Sequence, residues 1–507
     1  MKKFTGVIAL FIFLFTNSYA QNRFISDSLD IYMENALKLW NIPGASVAVV
    51  KDGKIILAKG FGVKVMNSND GIDENTLFMV ASNTKAFTGT ALSLLEYDKQ
   101  ISLDDRVLKW MPDFKMYDDR VTELVTIRDL LCHRLGLQTF QGDFINWSSN
   151  LSRKEIIDNF RNLKPVFDFR SRYGYCNAGF LTAGEIIPVV TGMTWDDFVT
   201  QKILIPLDMK RSSVDGNIMR SDKNTCKGHS IFLDTLKVVP YDAVNNLGPA
   251  ASLCTSAKDI ANWLIMLSDS GRYNGNKVMP YSVLAKTINP NITLGINQSP
   301  VFKGIKHIRT YGLGWQVEDY SGRLMVSHTG GVNGFVTSTC FLPEEKIGIA
   351  VFTNTDANYL YEALKYQIID SYLNLPYRNY SNLFYGMFEP GNKEEVVNYK
   401  EKMAVVMQNQ KPELSLDNYT GTFTNKAYGK INIRLTDDGL KIDFSRHPFL
   451  TGNLHYTSGN SFYCIYSHPG WGAKMIDFKV SEGKVKSVTI KVNDNIDFME
   501  YEFEKTD

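Results

Sequence analysis

Residues 77–89 read LFMVASNTKAFTG, and the reading of Ser82 and Lys85 within them decides how the rest of the chain is interpreted. An apolar run ends just before Ser82, and the spacing that follows predicts a helix to about Tyr97 with Phe87, Ala91, Leu94 and Leu95 on one face. Positions i and i+3 of a helix share a face, so the Lys85 amine would lie beside the Ser82 hydroxyl. A serine hydroxyl is a weak nucleophile until a base takes its proton, and burial lowers a lysine's pKa enough to make it that base. A helix N-terminus also favours negative charge on the serine oxygen. The competing reading puts both residues on the solvent face of an ordinary amphipathic helix. S-x-x-K is short enough to recur by chance, and it recurs at Ser481 to Lys484, where Gly483 and the flanking strand patterns indicate a turn.

Upstream, ISDSLDIYMENALKLW (residues 25–40) has helical spacing that NIPG ends. ASVAVV (45–50) and KIILAKGFG (54–62) then read as two strands of a hairpin turning at Asp52-Gly53. Downstream, Leu103 to Gly192 reads as mostly helical, strand patterns return near Tyr311, and a helix is expected over about Ala357 to Leu373. The fold class that follows is α+β: an antiparallel sheet flanked by helices, with a largely helical insert. LPYRNYSNLFYGMFEPGNKEE (375–395) mixes Pro, Gly, Asn and charge as a boundary does, and leads into a polar helix around Lys393 to Gln408. From NYTGTFTN (418–425) onward, short alternating strands separated by DDG, SGN and SEGK predict a small all-β, barrel-like domain. The expected organisation is a signal peptide at 1–20, a catalytic domain at 21–375, a linker with a polar helix at 376–412, and the β domain at 413–507.

Two further patterns follow Ser82. Tyr175-Cys176-Asn177 and His328-Thr329-Gly330 come in the order in which penicillin-recognising serine enzymes carry S-x-x-K, Y-x-N and K/H-x-G. On these motifs the chain resembles the serine β-lactamase-like and penicillin-binding protein family, in its class C β-lactamase and DD-peptidase branch. TIRDLLCHRLGL (126–137), NLGPAASLCTSAKDIANWL (246–264) and YGLGWQV (311–317) are similar to family segments, so the likeness covers about residues 25–375. The β domain resembles the lipocalin-like barrel appended to some members. Further copies of the motif letters, YSN at Tyr380 and HPG at His468, fall in the linker and the β domain, in the wrong order.

The resemblance implies that Ser82 is the acylated nucleophile, Lys85 its base, and Tyr175 the proton shuttle to the leaving group. It implies that Asn177 orients the substrate amide and that His328, Thr329, Gly330 and Gly331 form a substrate-binding strand edge. The backbone N–H groups of Ser82 and Gly331 would make the oxyanion hole, where one donor is worth roughly 3–4 kcal/mol in the transition state. Three departures stand out. His328 replaces the lysine of many β-lactamases, which weakens the expectation of efficient β-lactam hydrolysis. Arg170-Ser171 replaces a common Pro-Gly, with Arg172 alongside; these guanidiniums either recognise an acidic substrate group or are solvated. Cys176 is expected to point away from Ser82, and His133 is expected to be structural.

Lys plus Arg total 55 against 54 Asp plus Glu, a net charge of +1 that offers no broad field to nucleic acid or an anionic membrane. The N-terminus, MKKFTGVIALFIFLFTNSYAQN, has the lysines, short apolar run and small-residue exit of a secretory signal cleaved after Ala20, so a secreted or periplasmic protein without a membrane anchor is expected. The six cysteines are dispersed, with no C-x-x-C pair, and neither a metal centre nor a cofactor is expected. The function expected is an exported serine hydrolase that cleaves an ester or amide in a small-molecule or peptide substrate. Two alternatives stay open: an acyltransferase using an alcohol or amine acceptor, and a non-catalytic penicillin-binding or peptidoglycan-binding sensor.

Overall fold

In a computed structural model that describes residues 22–408 and 410–506, the hairpin forms as the sequence predicts. Strands β1 (Gly44–Lys51) and β2 (Lys54–Gly62) turn through Asp52 and Gly53, both left-handed at φ 51° and 73°. The expected signal peptide lies outside the described residues. Six later strands complete one sheet: β3 (Ile292–Ile296), β4 (Ile308–Tyr311), β5 (Gln316–Tyr320), β6 (Arg323–Val332), β7 (Phe335–Leu342) and β8 (Ile347–Thr353). Their order is β2-β1-β8-β7-β6-β5-β4-β3, antiparallel throughout.

Strand β1 is buried on both faces, and its alternation sorts the two cores. Val47 and Val49 face helices α1 (Leu29–Trp40) and α5 (Leu360–Tyr372), whereas Ala48 and Val50 face the core that holds α2 (Thr84–Tyr97) and α4 (Ala257–Ser268). The Phe87 ring of α2 stacks on Trp263 of α4 with centroids 4.2 Å apart. Because α2 is buried all round from Thr84 to Ser93, the surface-helix reading of Ser82 and Lys85 is excluded.

The structure departs from the sequence reading in three places. The second run of strands starts at Ile292 rather than near Tyr311, because β3 and β4 form a sheet edge where Ile296 and Ile308 are exposed and no apolar alternation shows. The middle of the chain is a series of short helices joined by irregular loops, several opened by capping boxes such as Thr126/Asp129 and Ser152/Glu155, and it includes α3 (Asn177–Gly184). The polar helix is longer than expected. It is α6 (Tyr380–Met407), with Pro390 inside it. Its start is pinned by aromatic packing: Tyr380 is fully buried with its hydroxyl donating to Asp370 at 2.8 Å, and Tyr385 packs edge-on against Trp40 at 5.2 Å.

The C-terminal strands close into an eight-stranded antiparallel barrel. They are β9 (Gly421–Asn425), β10 (Gly429–Thr436), β11 (Gly439–Phe444), β12 (Thr451–Ser458), β13 (Ser461–Tyr466), β14 (Ala473–Ser481), β15 (Lys484–Ile490) and β16 (Tyr501–Thr506). The barrel grips the catalytic part at residues 144–150. Phe144 stacks on Tyr428 at 4.7 Å, His447 Nε2 donates to the Trp147 carbonyl at 3.0 Å, and the Asn150 N–H donates to the Arg446 carbonyl at 2.9 Å.

Replacing Phe87 by Ala should lower unfolding stability by about 3–5 kcal/mol, since a large buried ring leaves a cavity that α2 and α4 cannot fill. Denaturant titration reads this as a fall in midpoint, and Tyr97→Ala, at a position 52% exposed on the same helix, should leave the midpoint near the parent's.

Candidate active site

Ser82 sits in a single tight turn, Ala81–Asn83, placed immediately before α2. The turn is entered through Ala81 at φ 47°, a left-handed conformation that a residue with a Cβ adopts only when its surroundings enforce it. They do so by hydrogen bonds. Asn83 Nδ2 donates to the Val80 carbonyl at 3.1 Å and to Thr337 Oγ1 of β7 at 2.8 Å, while Thr339 Oγ1 donates to Asn83 Oδ1 at 2.5 Å. Strand β6 lies directly against this turn, for a Cβ on Gly330 would stand 2.1 Å from the Val80 oxygen. Only glycine fits there.

The Lys85 amine is fully buried and surrounded by oxygen: Ser82 Oγ at 3.1 Å, Asn177 Oδ1 at 2.6 Å and the Ala250 carbonyl at 3.0 Å. Burial pushes its pKa down to about 7, against an opposing pull from Asp143. At neutral pH a large share of this amine is unprotonated, within reach of the hydroxyl proton. Tyr175 lies beside it with its ring 4.6 Å from Nζ, and its phenol is close enough to Ser82 to be influenced by its hydroxyl. Burial holds that phenol well above its ordinary pKa, so it is a neutral O–H able to pass a proton on. Asn177 opens α3, and its Nδ2 donates to Asp143 Oδ2 at 2.6 Å.

His328 is fixed at both nitrogens. Nδ1 donates to the Thr329 carbonyl at 2.6 Å, and Nε2 accepts from the Tyr311 hydroxyl at 2.9 Å. Burial, and then the nearby Lys85, push its pKa down to about 3, so it contributes no positive charge above mildly acidic pH. Pairing of β6 with β5 ends at Ser327, while pairing with β7 runs on through Val332, which leaves Thr329, Gly330 and Gly331 on an open strand edge lining the cavity. His133 buttresses the site from behind: its ring lies 4.3 Å from that of Tyr175, and its Nδ1 accepts the Cys176 N–H at 3.0 Å. The Cys176 thiol is buried, its pKa pushed up to about 12, and all six cysteines are free. Arg170 does not face the cleft. It pairs through two nitrogens with buried Asp129, at 2.9 and 2.7 Å, and Arg172 lies over the Phe167 ring.

Thus Ser82, Lys85, Tyr175, Asn177 and His328 through Gly331 come together, whereas Ser481 and Lys484 close a barrel hairpin and Tyr380 begins α6. The site opens into a cavity of about 620 Å³ between the sheet and the barrel. Asp143, Asp234, Asp356 and Glu395 line it, and among the described residues no lysine or arginine does. Three contributors were missed by sequence reading: Asp143, Tyr311 and the Ala250 carbonyl. None belongs to a motif, although Tyr311 and Ala250 fall in the family-like segments quoted above.

Residues 33–373, about two thirds of the chain, match the family described as Beta-lactamase. The chain belongs to the beta-lactamase family. Residues 407–505 of this beta-lactamase-family protein match a domain of unknown function (DUF3471) that coincides with the barrel. It is 30% identical over 431 residues to "Unguisins hydrolase ungD'" of Aspergillus campestris, covering 79% of this chain and 76% of that one. It is 28% identical to "Protein flp" of Staphylococcus aureus (strain MRSA252), covering 68% of this chain and 66% of that one. In fold it is similar to the octameric penicillin-binding protein homologue from Pyrococcus abyssi, at TM-score 0.61 and 21% identity over 94% of this chain and 99% of that one. A D-stereospecific amidohydrolase from Streptomyces sp. superposes at TM-score 0.52 and 22% identity, over 64% of this chain and 94% of that one.

A reaction that needs the unprotonated Lys85 amine should lose about tenfold in kcat/KM for each pH unit below about 7, because protonation removes the acceptor. His328 should add no further limb in that range. A kcat/KM profile that stays flat from about pH 5.5 to 8 would exclude Lys85 as the proton acceptor.

Proposed function

We propose that this protein is an exported serine hydrolase that cleaves an amide or ester through an acyl-enzyme on Ser82. The observation that carries the reading is the fully buried Lys85 amine, 3.1 Å from Ser82 Oγ and lowered to about pKa 7. In the first half-reaction Lys85 takes the Ser82 proton while Oγ bonds to the substrate carbonyl carbon. The oxyanion that forms is received by the N–H groups of Ser82 and Gly331 at the open end of β6. Tyr175 relays the proton to the departing nitrogen or oxygen, so that the leaving group departs neutral and the acyl group stays on Oγ. Water then attacks the acyl carbon and gives a proton to the same base; the bond to Oγ breaks, the base returns that proton to Ser82 Oγ, and the acid leaves. Asn177 orients the substrate amide.

The cleft's charge narrows the substrate class. With no lysine or arginine among the described residues lining it and His328 neutral, a substrate carboxylate has no cation to pair with. Neutral or amine-bearing substrates are favoured over β-lactams and over peptides cleaved next to a free C-terminal carboxylate. One relative is named a hydrolase, and the name of a structural neighbour, a D-stereospecific amidohydrolase, supports amides of D-amino acids as the substrates to try first.

Intact-mass measurement after exposure to an activated ester should show one acyl adduct on the parent and none on Ser82→Ala. A parent without an adduct, or a mutant with the same one, would overturn the nucleophile. In a matched pair of D-amino-acid peptides, amidating the C-terminus should raise kcat/KM about tenfold or more. Equal values, or a preference for the free acid, would remove the charge argument.

A further inference from the structure

Gly142 and Phe144 flank Asp143, and both of their backbone N–H groups donate to the same oxygen, Oδ2 of Asp497, at 3.0 and 3.2 Å. Asp497 belongs to the barrel, in the connection between β15 and β16. Its Oδ2 also accepts the Tyr501 hydroxyl at 2.7 Å, and its Oδ1 accepts the Met499 N–H at 2.9 Å. The Phe144 ring is fully buried among barrel rings, stacked on Tyr428 and edge-on to Trp471 at 6.0 Å. The turn carrying Asp143 is therefore built into the sequence of one domain but held by the other. From it an unbroken path of short hydrogen bonds runs inward: Asp143 Oδ2 accepts from Asn177 Nδ2 at 2.6 Å, and Asn177 Oδ1 meets Lys85 Nζ at 2.6 Å.

We propose that Asp497 is a positioning residue of the active site, through which the barrel sets the 142–144 turn and, by way of Asp143 and Asn177, the place of the Lys85 amine. The assignment rests on the reading of Ser82 and Lys85 as nucleophile and base. A shift of the order of 1 Å in a reacting group can cost about 100-fold in rate, so a fixed amine is worth this much structure.

The charges around the path act in the same sense. Asp143 is faced by Lys85 from α2, by Tyr175 and Cys176 from the segment before α3, and by Asp497 and Tyr501 from the barrel. Lys85 is faced by Asp143, Cys176 and the Tyr175 ring, and by the rings of His133 and His328. Burial, and then the Asp497 carboxyl, hold Asp143 well above the usual carboxylate range. Raising its pKa weakens the pull of Asp143 on Lys85 while its hydrogen bond to Asn177 is kept. Removing the Asp497 charge should let Asp143 ionise more readily, raise the Lys85 pKa and move the acid limb of the rate profile up. Removing the Asp143 carboxyl should move it down.

The test compares full-length parent with Asp497→Ala, Asp497→Asn and Asp143→Asn on one neutral ester. Each is followed by kcat and KM separately, by kcat/KM against pH, and by Ser82 acylation in intact mass. Asp497→Ala should lower kcat about 10- to 100-fold with KM little changed, and Asp497→Asn, which keeps an acceptor, should recover most of that loss. The two Asn variants should shift the acid limb in opposite directions. Unmoved limbs in both, with normal acylation of the parent, would overturn this assignment alone. So would an unchanged kcat in an Asp497→Ala that is fully folded by circular dichroism. If Asp497→Ala does not fold, the paired Asn shifts still decide. A parent that takes no acyl group on Ser82 overturns the hydrolase reading, and this assignment with it.

Discussion

An amine shut away from water must be satisfied by oxygen atoms supplied by the protein, and three surround Lys85: a hydroxyl from its own turn, an amide from α3 and a carbonyl from the segment before α4. Each comes from a different element, so the amine can be buried only when all three are in place. This requirement ties the first turn of α2, the start of α3 and residue 250 into one unit. It also lowers the amine's proton affinity, so the packing that makes the helix rigid makes the base usable.

The sheet supplies the second fixed surface. Gly330 lets β6 approach the Val80 carbonyl, Asn83 ties the turn to β7, and the strained Ala81 is held between them. The turn that carries Ser82 thus rests against strands, and its position is set by ladder geometry. The open end of β6 beyond Ser327 is the complement of this arrangement. It leaves backbone groups unpaired where a substrate can use them.

Much of this could be read from the sequence, and for identifiable reasons. The hairpin showed itself because β1 is apolar from Val47 to Val50 and Asp52-Gly53 suits a tight turn. The barrel showed itself through alternation and turn residues, and the site through three motifs in order. What stayed hidden depended on contacts distant in sequence. Strands β3 and β4 form an exposed edge and carry no alternation, and the start of α6 was masked by Gly386, Pro390 and Gly391 although buried Tyr380 secures it. Asp143 lies in QGDFINW, a stretch with no pattern, and Asp497 acquires a role only when the barrel closes over it. The Arg170 guanidinium looked available to a substrate because its partner, Asp129, sits 41 positions away.

The bond between the Gly142 N–H and Asp497 spans 355 residues. At synthesis rates of about 5–20 residues per second, that turn waits roughly 20–70 s for its acceptor to be made. Through that interval the sheet strands β3 to β8 are being made, while the Phe144 ring and two backbone donors stay without their barrel partners. The hydrophobic core around the sheet can form in chain order. The setting of the Lys85 amine cannot, and so the geometry around it is among the last things this chain acquires.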